Sequence, residues 1–376
     1  MKILIAGDFA PRYRVANQIE NGDYGCLGQV KRFIQQMDYS IVNFESPVVT
    51  HESKPIEKIG PHLCCTEKAV DCIVQAGFNC ITLANNHFRD YGQIGVEDTI
   101  NACEKHHIDY VGGGKNKQDA ERVLYKTLEG KVLAIMNVCD HEWSITSENH
   151  GGSNPLNPIR NYYAIQEAKN NSDYLLVIVH GGIEGYNLPT PRMQETYRFF
   201  IDVGADAVVN HHQHCYSGYE MYHGKPIFYG LGNFCFDTSS VYRNDLWMNG
   251  FMVVLEFSET TDFMMLPYKQ CEEDNPIVNM QVDKDVFSSS IEQLSFVIAE
   301  KSKLEQQYRK ITTQDFSITK NILAPYSNGI IRKFYAKGLL PSFATKVRKK
   351  QLLNYIQCES HRDRLLQELF HGCNSL

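Results

Sequence analysis

The sequence lacks several features that would place the protein in a specialised class. It has no excess of positive charge, since 37 Lys and Arg residues face 44 Asp and Glu residues and the formal net charge is -7 at pH 7. This balance gives no reason to expect a nucleic-acid partner. No two of its 12 cysteines have the Cys-x2-Cys spacing typical of structural zinc sites, so we expect reduced and mostly buried thiols.

The amino terminus also lacks a long apolar run. Only four apolar residues separate Lys2 from Gly7 and Asp8, which is too short for an export signal or a membrane span. We therefore expect a cytoplasmic protein, with peripheral association at the inner membrane as an open alternative. The hydrophobic fraction of 43% and the charged fraction of 22% are typical of a globular protein.

Strand patterns alternate with helical patterns up to about residue 260. The strand patterns are rich in aliphatic and β-branched residues: KILIAGD, YSIVNFE, CITLANNH, YLLVIVHGG and ADAVVNHH. This alternation predicts an α/β fold. Near residue 275 the strand patterns give way to helical ones, so we predict one domain over residues 1–275 and a helical, basic region over residues 276–376.

The region from residue 301 to 350 is rich in Lys and Arg, with Phe334, Tyr335 and Phe343 interleaved. This composition suits a basic amphipathic surface that binds anionic lipid or an anionic polymer. A solvated helical face is the alternative, because it is the commoner origin of a run of charges.

Side chains able to bind metal or transfer protons follow five of the strand patterns. They are Asp8, Asn43, Glu45, Asn85, Asn86, His87, His180, His211, His212 and His214. Because the carboxyl ends of the strands in an open α/β sheet face one crevice, we expect these residues to converge in space. The loop DHEWSITSENHGGSN over residues 140–154 is a candidate wall of the same crevice.

The residue types in this group favour a particular class of metal. Carboxylate, amide and imidazole ligands together suit Mn²⁺, Fe or Zn²⁺ better than Ca²⁺ or a thiolate-bound zinc. Glu45 is a candidate bridge between two ions. If the histidine run is extended, His212 and His214 point to one side as ligands and His211 points away, as a supporting or packing residue.

Six motifs occur in order within residues 1–260. They are GD at 7–8, NFESP at 43–47, LANNHFRDYG at 83–92, HGGIEGY at 180–186, HHQH at 211–214 and YGLGNFCFD at 229–237. Their order and spacing resemble the CapA-type capsule synthesis proteins, which are associated with poly-γ-glutamate and belong to the calcineurin-like metallophosphoesterase superfamily. The resemblance implies a four-layer α/β fold, a β-sandwich flanked by helices, followed here by a mainly helical extension.

The resemblance also implies a role for each residue at the site. Asp8 and His214 would hold a first divalent ion, Glu45 would bridge, and Asn86, His180 and His212 would hold a second, giving one or two Mn, Fe or Zn ions per chain. His87 would be the general acid, with Asp90 and Glu184 as further catalytic candidates. Asn43, Asn85, His211 and Asn233 would orient ligands or bind substrate. For Asp90, Glu184 and Asn233, a turn or cap role is the alternative.

Three positions depart from the family pattern. Ala10 stands where the superfamily has a histidine ligand, Asn210 replaces a glycine, and Gly181 replaces a tryptophan. Two functions therefore remain open. One is a metal-dependent hydrolase of a phosphoester or polymer linkage in capsule or poly-γ-glutamate synthesis, acting on an anionic polymer or a small phosphorylated substrate. The other is a weakly catalytic or non-catalytic assembly factor that binds an anionic surface polymer.

Overall fold

The computed structural model describes residues 1–314, 328–337, 339–340 and 345–373. The chain forms two compact units, Met1–Glu305 and Gln306–Leu376. No helix in these described ranges is long and apolar enough to cross a membrane.

All strands within the described ranges belong to the first unit. In chain order they are β1 (Lys2–Phe9), β2 (Tyr39–Phe44), β3 (Cys80–Thr82), β4 (Asp109–Val111), β5 (Gly113–Gly114), β6 (Leu124–Leu128), β7 (Lys131–Cys139), β8 (Gly152–Ser153), β9 (Tyr174–His180), β10 (Ala207–His211), β11 (Tyr219–Tyr222), β12 (Lys225–Phe228), β13 (Asn233–Cys235), β14 (Asn249–Phe257), β15 (Thr261–Gln270) and β16 (Val278–Asn279).

The helices occur in both units. In chain order they are α1 (Tyr13–Glu20), a 3-10 turn (Gly25–Leu27), α2 (Lys31–Ile34), α3 (Lys68–Ala76), α4 (Gly92–Lys105), α5 (Lys117–Ala120), α6 (Pro158–Asn170), α7 (Pro191–Asp202), α8 (Asp245–Met248), α9 (Lys284–Ala299), α10 (Lys301–Gln314), α11 (Gly329–Ala336), α12 (Lys346–Gln357) and α13 (Glu359–Cys373).

Local sequence explains where the longer helices start and stop. The side chain of Asn157 accepts a hydrogen bond from Arg160 N, and Pro158 occupies the first position of α6. At the start of α7, the Thr190 side chain likewise accepts a hydrogen bond from a backbone amide, and Pro191 occupies the first helical position. These pairs satisfy otherwise unpaired amide groups and pre-set the backbone angle of the first turn.

The strands form two large sheets. The first has eight strands in the order β16-β15-β14-β1-β2-β3-β4, with β13 also paired to β1. The second has six strands in the order β11-β12-β10-β9-β7-β6. Strands β1 to β4 run parallel in the first sheet, as do β7, β9, β10 and β12 in the second, so each sheet presents a set of carboxyl ends at one edge.

Alternation of side chains buries both faces of each sheet. Ile3 and Ile5 of β1 share a cluster with Leu176 and Ile178 of β9, so the two sheets pack face to face. The intervening side chains of β1 join an outer cluster with residues of α1, α3 and α4. Those of β9 join another with residues of α6 and α7. The predicted mixed α/β class is confirmed, with helices on the outer faces of paired sheets.

The two units divide later in the chain than the boundary predicted near residue 275. Ile291 of α9 belongs to the cluster between the sheets, and Ile298 belongs to the cluster beneath α6 and α7. Because α9 contributes to both apolar clusters, it is part of the first unit. The elements described in the second unit are helical, from the end of α10 through α13.

Candidate metal centre

The carboxyl ends of β1, β2, β9 and β10 meet around one buried group of polar side chains. Asp8 of β1 is in register with Asn43 of β2, and His180 of β9 is in register with His211 of β10. Glu45 directly follows β2, and its amide donates a hydrogen bond of 2.9 Å to Phe9 O. The structure therefore brings together side chains from strand ends that are far apart in sequence.

Asp8, Glu45 and His214 form the first candidate ligand group. One ligand atom from each of the three residues lies within 4.8 Å of the other two, and all three are buried. Nδ1 of His214 is 3.5 Å from Oδ2 of Asp8, and its Nε2 is 3.6 Å from Oε1 of Glu45. The imidazole thus lies between the two carboxylates.

Glu45 is the most unusual member of this group. Neither of its carboxylate oxygens has a hydrogen-bond partner among the described residues, although both are buried. Burial raises the pKa of Glu45 well above its usual value. A buried carboxylate that accepts no hydrogen bond is costly, and a cation would remove that cost. The donor set of two carboxylates and an imidazole therefore fits a divalent metal ion.

His180, His212 and Asn86 form the second candidate ligand group. Nε2 of His180 is 3.0 Å from Oδ1 of Asn86 and 3.1 Å from Nδ1 of His212. Burial lowers the pKa of His180 well below its usual value and that of His212 to about 4. Both rings are therefore neutral near pH 7, which is the form that binds metal.

Asn43 contacts one residue of each candidate ligand group. Its Nδ2 donates to Oδ1 of Asp8 at 2.7 Å and lies 3.3 Å from Nδ1 of His180, while its Oδ1 accepts from Thr82 Oγ1. Burial works against ionisation of Asp8, but the adjacent imidazoles of His211 and His214 outweigh it and hold the pKa of Asp8 well below its usual value. Asn43 therefore supports a carboxylate that stays ionised.

Two other asparagines predicted to contact substrate have protein partners. Nδ2 of Asn85 donates to Phe44 O, and its Oδ1 accepts from the backbone amide of His87. Oδ1 of Asn233 is 2.9 Å from Nδ1 of His214. Both are fully buried, so the structure gives them roles in shaping the turn and orienting the ring.

The expectation that residues 212 to 214 continue an extended strand is wrong. Strand β10 ends at His211, and the backbone φ angles of His212 (91°) and His214 (55°) are in the left-handed region. Simple alternation therefore stops at His211. This residue does not point away, because its Nδ1 lies 3.4 Å from Oδ1 of Asp8.

His87 lies at the edge of the first group, held by Asp90. Its Nδ1 is 2.7 Å from Oδ2 of Asp90, and its Nε2 is 4.0 Å from Oε1 of Glu45. Burial lowers the pKa of His87, although Asp90 opposes the shift. The Nε2 edge of the ring therefore faces the ligand cluster.

Two residues at the site were not predicted from the sequence. Nζ of Lys58 contacts Oδ1 of Asp90 and lies 3.3 Å from Nδ1 of His87. Glu142 lies 3.5 Å from both His212 Nε2 and Asn86 Nδ2. Lys58 lies outside the six motifs. Glu142 lies within the loop predicted to form a wall of the crevice, but no sequence pattern distinguishes it from the other polar residues there. Glu184 is exposed in the turn after β9, and its catalytic role stays a prediction.

The three departures from the family pattern each have a local explanation. Ala10 packs in a small apolar cluster with Leu63, Phe236 and Trp247. A β-carbon on Gly181 would lie 2.5 Å from Oδ2 of Asp140, so that carboxylate occupies the adjacent space. Asn210 accepts from the Tyr197 hydroxyl and donates to backbone carbonyls.

Comparison with known proteins gives consistent matches over the first unit. Residues 2–238 match the family described as "Bacterial capsule synthesis protein PGA_cap". The "Capsule biosynthesis protein CapA" of Bacillus anthracis is 36% identical over 224 residues, which are 57% of this chain and 54% of that protein. The "PGA biosynthesis protein CapA" of Bacillus subtilis (strain 168) is 33% identical over 219 residues, 57% of this chain and 58% of that protein.

A solved structure is more distant. The crystal structure of a hypothetical protein from Thermus thermophilus aligns with 70% of this chain and 99% of its own, at 12% identity and a TM-score of 0.44. The chain spans little more than half the length of the two Bacillus relatives described above.

Proposed function

The chain belongs to the bacterial capsule synthesis protein family PGA_cap, and from this premise we propose that it is a metal-dependent hydrolase in capsule polymer synthesis. Its substrate would be a phosphoester or polymer linkage in the production of poly-γ-glutamate or a similar anionic polymer. The names of the two Bacillus relatives support the biological role. The buried ligand groups at the strand ends support the chemistry.

The arrangement of the sheets supports a fold similar to that of metallophosphoesterases. Two sheets pack through an apolar cluster, helices cover their outer faces, and the ligand groups lie at the carboxyl ends of the parallel strands. These features support the four-layer order that the motif resemblance implies. We therefore propose that the first unit has a metallophosphoesterase-like fold.

The observation that carries the proposal is the buried Glu45 carboxylate beside Asp8 and His214, which has no hydrogen-bond partner in the part of the chain that the structure describes. Asp8, Glu45 and His214 would hold a first divalent ion, and Asn86, His180 and His212 a second. Such ions would activate water and stabilise negative charge on the scissile group. We propose Mn, Fe or Zn as the metal, with one or two ions per chain.

His87 is the proposed general acid. Asp90 holds its Nδ1 and so orients the ring, and Nε2 faces the ligand cluster, where a leaving oxygen would receive a proton. Because burial lowers the pKa of His87, a proton on the ring is released readily, while the protonated fraction at neutral pH is small. Lys58 binds the other oxygen of Asp90 and fixes that carboxylate.

An assembly factor that binds polymer with little catalysis is the second candidate. The observation that favours it is the apolar setting of Ala10, which offers no ligand where the superfamily has a histidine. The two candidates differ in the effect of His87→Ala. The change would abolish turnover in a hydrolase and leave polymer binding intact in an assembly factor.

Elemental analysis and hydrolysis assays test the leading proposal together. Metal-free protein would be reconstituted with manganese, iron and zinc separately, then assayed on bis(p-nitrophenyl) phosphate and on poly-γ-glutamate. We expect bound metal that Glu45→Gln removes, with Glu52→Gln, an exposed carboxylate, as the matched control. Full metal binding by Glu45→Gln would contradict the assignment of this residue.

We also propose that the second unit associates with an anionic membrane surface. Helix α12 has no acidic residue, and Lys346, Arg348, Lys349 and Lys350 are exposed along it. Exposed apolar side chains occur in the same unit, including Val347 on α12 and Phe334 on α11. Basic side chains interspersed with apolar ones favour a lipid surface over a soluble anionic polymer, because the apolar groups can enter the interface.

A further inference from the structure

We propose that Glu142 is a positioning residue of the metal centre. Its two carboxylate oxygens contact Nε2 of His212 and Nδ2 of Asn86. These contacts keep Nδ1 of His212 and Oδ1 of Asn86 directed at His180. The inference rests on the proposed function, since it assigns Glu142 a role toward a metal that His212 and Asn86 would bind. It adds a residue from outside the strand ends.

His212 and Asn86 each have an inner end, the polar atom nearest His180, and an outer end, the polar atom nearest Glu142. Oδ1 of Asn86 lies 3.0 Å from His180 Nε2, and its Nδ2 lies 3.5 Å from Oε2 of Glu142. Nδ1 of His212 lies 3.1 Å from His180 Nε2, and its Nε2 lies 3.5 Å from Oε1 of Glu142. One carboxylate therefore contacts the outer end of both ligands, with a separate oxygen for each.

The loop that carries Glu142 is fixed on both sides of it. On one side, Asp140 N donates to His180 O, and Oδ2 of Asp140 accepts from Gly182 N. On the other, the buried hydroxyl of Ser144 donates to Asn86 O at 2.8 Å and accepts from Arg89 N. The loop is thus attached to the two chain segments that supply His180 and Asn86.

The chemistry of a carboxylate suits this role. A histidine that binds metal through one nitrogen commonly donates its other ring N–H to a carboxylate, which fixes the tautomer and the orientation of the ring. Oε1 of Glu142 can accept from Nε2 of His212, and Oε2 can accept from the amide of Asn86. This leaves the imidazole Nδ1 and the amide oxygen as the free donors toward the metal.

An ordinary surface ion pair is the competing explanation. The Glu142 side chain is 38% exposed, and exposed pairs contribute little to stability. If Glu142 forms only a surface ion pair, replacing it will leave the metal affinity unchanged. If it is a positioning residue, replacing it will lower the metal affinity. Metal binding therefore distinguishes the two roles.

The test uses the chain of residues 1–376, stripped of metal and titrated with Co²⁺. Wild type would be compared with Glu142→Ala and Glu142→Gln, and with Glu148→Ala as a control. Glu148 lies in the same loop and forms an exposed ion pair with Lys117. The measurements are the Co²⁺ dissociation constant, the number of ions per chain at saturation, and the visible absorption of bound Co²⁺.

We expect Glu142→Ala to weaken Co²⁺ binding by about 10- to 100-fold and to alter the absorption spectrum, with the saturating number of ions unchanged. Glu142→Gln should lose less affinity, because the amide oxygen retains one acceptor for His212. Glu148→Ala should match wild type.

Three results would overturn the inference. Wild-type affinity and spectrum in a folded Glu142→Ala protein would show that the contact is incidental. Loss of one ion per chain at saturation would make Glu142 a direct ligand instead. Failure of wild type itself to bind Co²⁺, Mn²⁺ or Zn²⁺ would remove the proposed function first, and this inference with it.

Discussion

Asn43 donates a 2.7 Å hydrogen bond from Nδ2 to Oδ1 of Asp8, and both side chains are buried at adjacent strand ends. The same amide group lies 3.3 Å from Nδ1 of His180. One asparagine thus contacts a residue from each proposed ligand group. This contact couples the orientation of Asp8 to that of His180.

Asn43→Ala should therefore weaken metal binding by about tenfold or more, because supporting hydrogen bonds hold ligands in place. A competition titration with a chromogenic chelator would measure the change. Asn101→Ala is a suitable control, since Asn101 accepts a hydrogen bond from Lys115 on the exposed surface. Equal affinity in Asn43→Ala and wild type would show that Asp8 needs no support from Asn43.

Changes at His87 should separate catalysis from metal binding. If His87 is the general acid, His87→Ala should lower kcat by about 10²- to 10⁴-fold while the metal content stays at the wild-type level. The measurement is steady-state hydrolysis together with elemental analysis of the same sample. Retention of full metal-dependent turnover would show that another group protonates the leaving oxygen.

Lys58→Met should also lower kcat, but by less than His87→Ala does. It removes the contact to Asp90, and so loosens the carboxylate that orients His87. We expect a lower kcat with little change in KM or metal content. Lys54→Met, at an exposed position in the same loop, is the control. A change confined to KM would instead place Lys58 in contact with substrate.

The Asp237 carboxylate should make stability depend on pH. Burial opposes its ionisation, but Arg14 outweighs this and lowers the pKa of Asp237 below its usual value. Arg14 also donates to the carbonyls of Cys271, Glu272 and Glu273, so the pair joins three chain segments. Asp237→Asn should lower the free energy of unfolding at pH 7 by about 2 kcal/mol.

The sign of the pH dependence follows from the lowered pKa. The stabilisation by Asp237 is fully present above the unfolded-state pKa, near 4, and is lost as the pH falls through the lower folded-state value. Urea unfolding of wild type and Asp237→Asn should therefore differ at pH 7 and converge in strong acid. Asp245→Asn, at an exposed carboxylate, should show no comparable loss. A difference that grows toward acid pH would contradict this account.

The basic residues of α12 should bind anionic vesicles. Replacing Lys346, Arg348, Lys349 and Lys350 with Gln should weaken binding of the full chain to phosphatidylserine vesicles by at least 100-fold, since each charge near the surface contributes about 1 kcal/mol. Sedimentation with vesicles of graded charge would measure it. The matched control is Arg362→Gln with Arg364→Gln on α13, which also carries acidic residues. Equal binding to neutral vesicles would contradict an electrostatic mechanism.

Several positions of the site were predictable because their placement follows from local patterns. Asp8, Glu45 and His180 lie at or just after the ends of apolar strand patterns, and parallel strands bring their carboxyl ends to one edge. Successive side chains of β1 and β9 point to opposite faces of their sheets. Because both faces are covered, the side chains on both are mainly apolar. For these residues the sequence determined both the element and the edge at which the side chain lies.

The positions of His211, Lys58 and Glu142 were decided only by the tertiary structure. Left-handed backbone at His212 and His214 ends the alternation on which the His211 prediction depended. Lys58 and Glu142 lie in loops, where no period relates sequence to direction. Contacts such as that between Ser144 Oγ and Asn86 O, across distant parts of the chain, set where such a loop lies. Local patterns fix the elements and their ends, whereas loop positions depend on long-range hydrogen bonds that exist only once the sheets have packed.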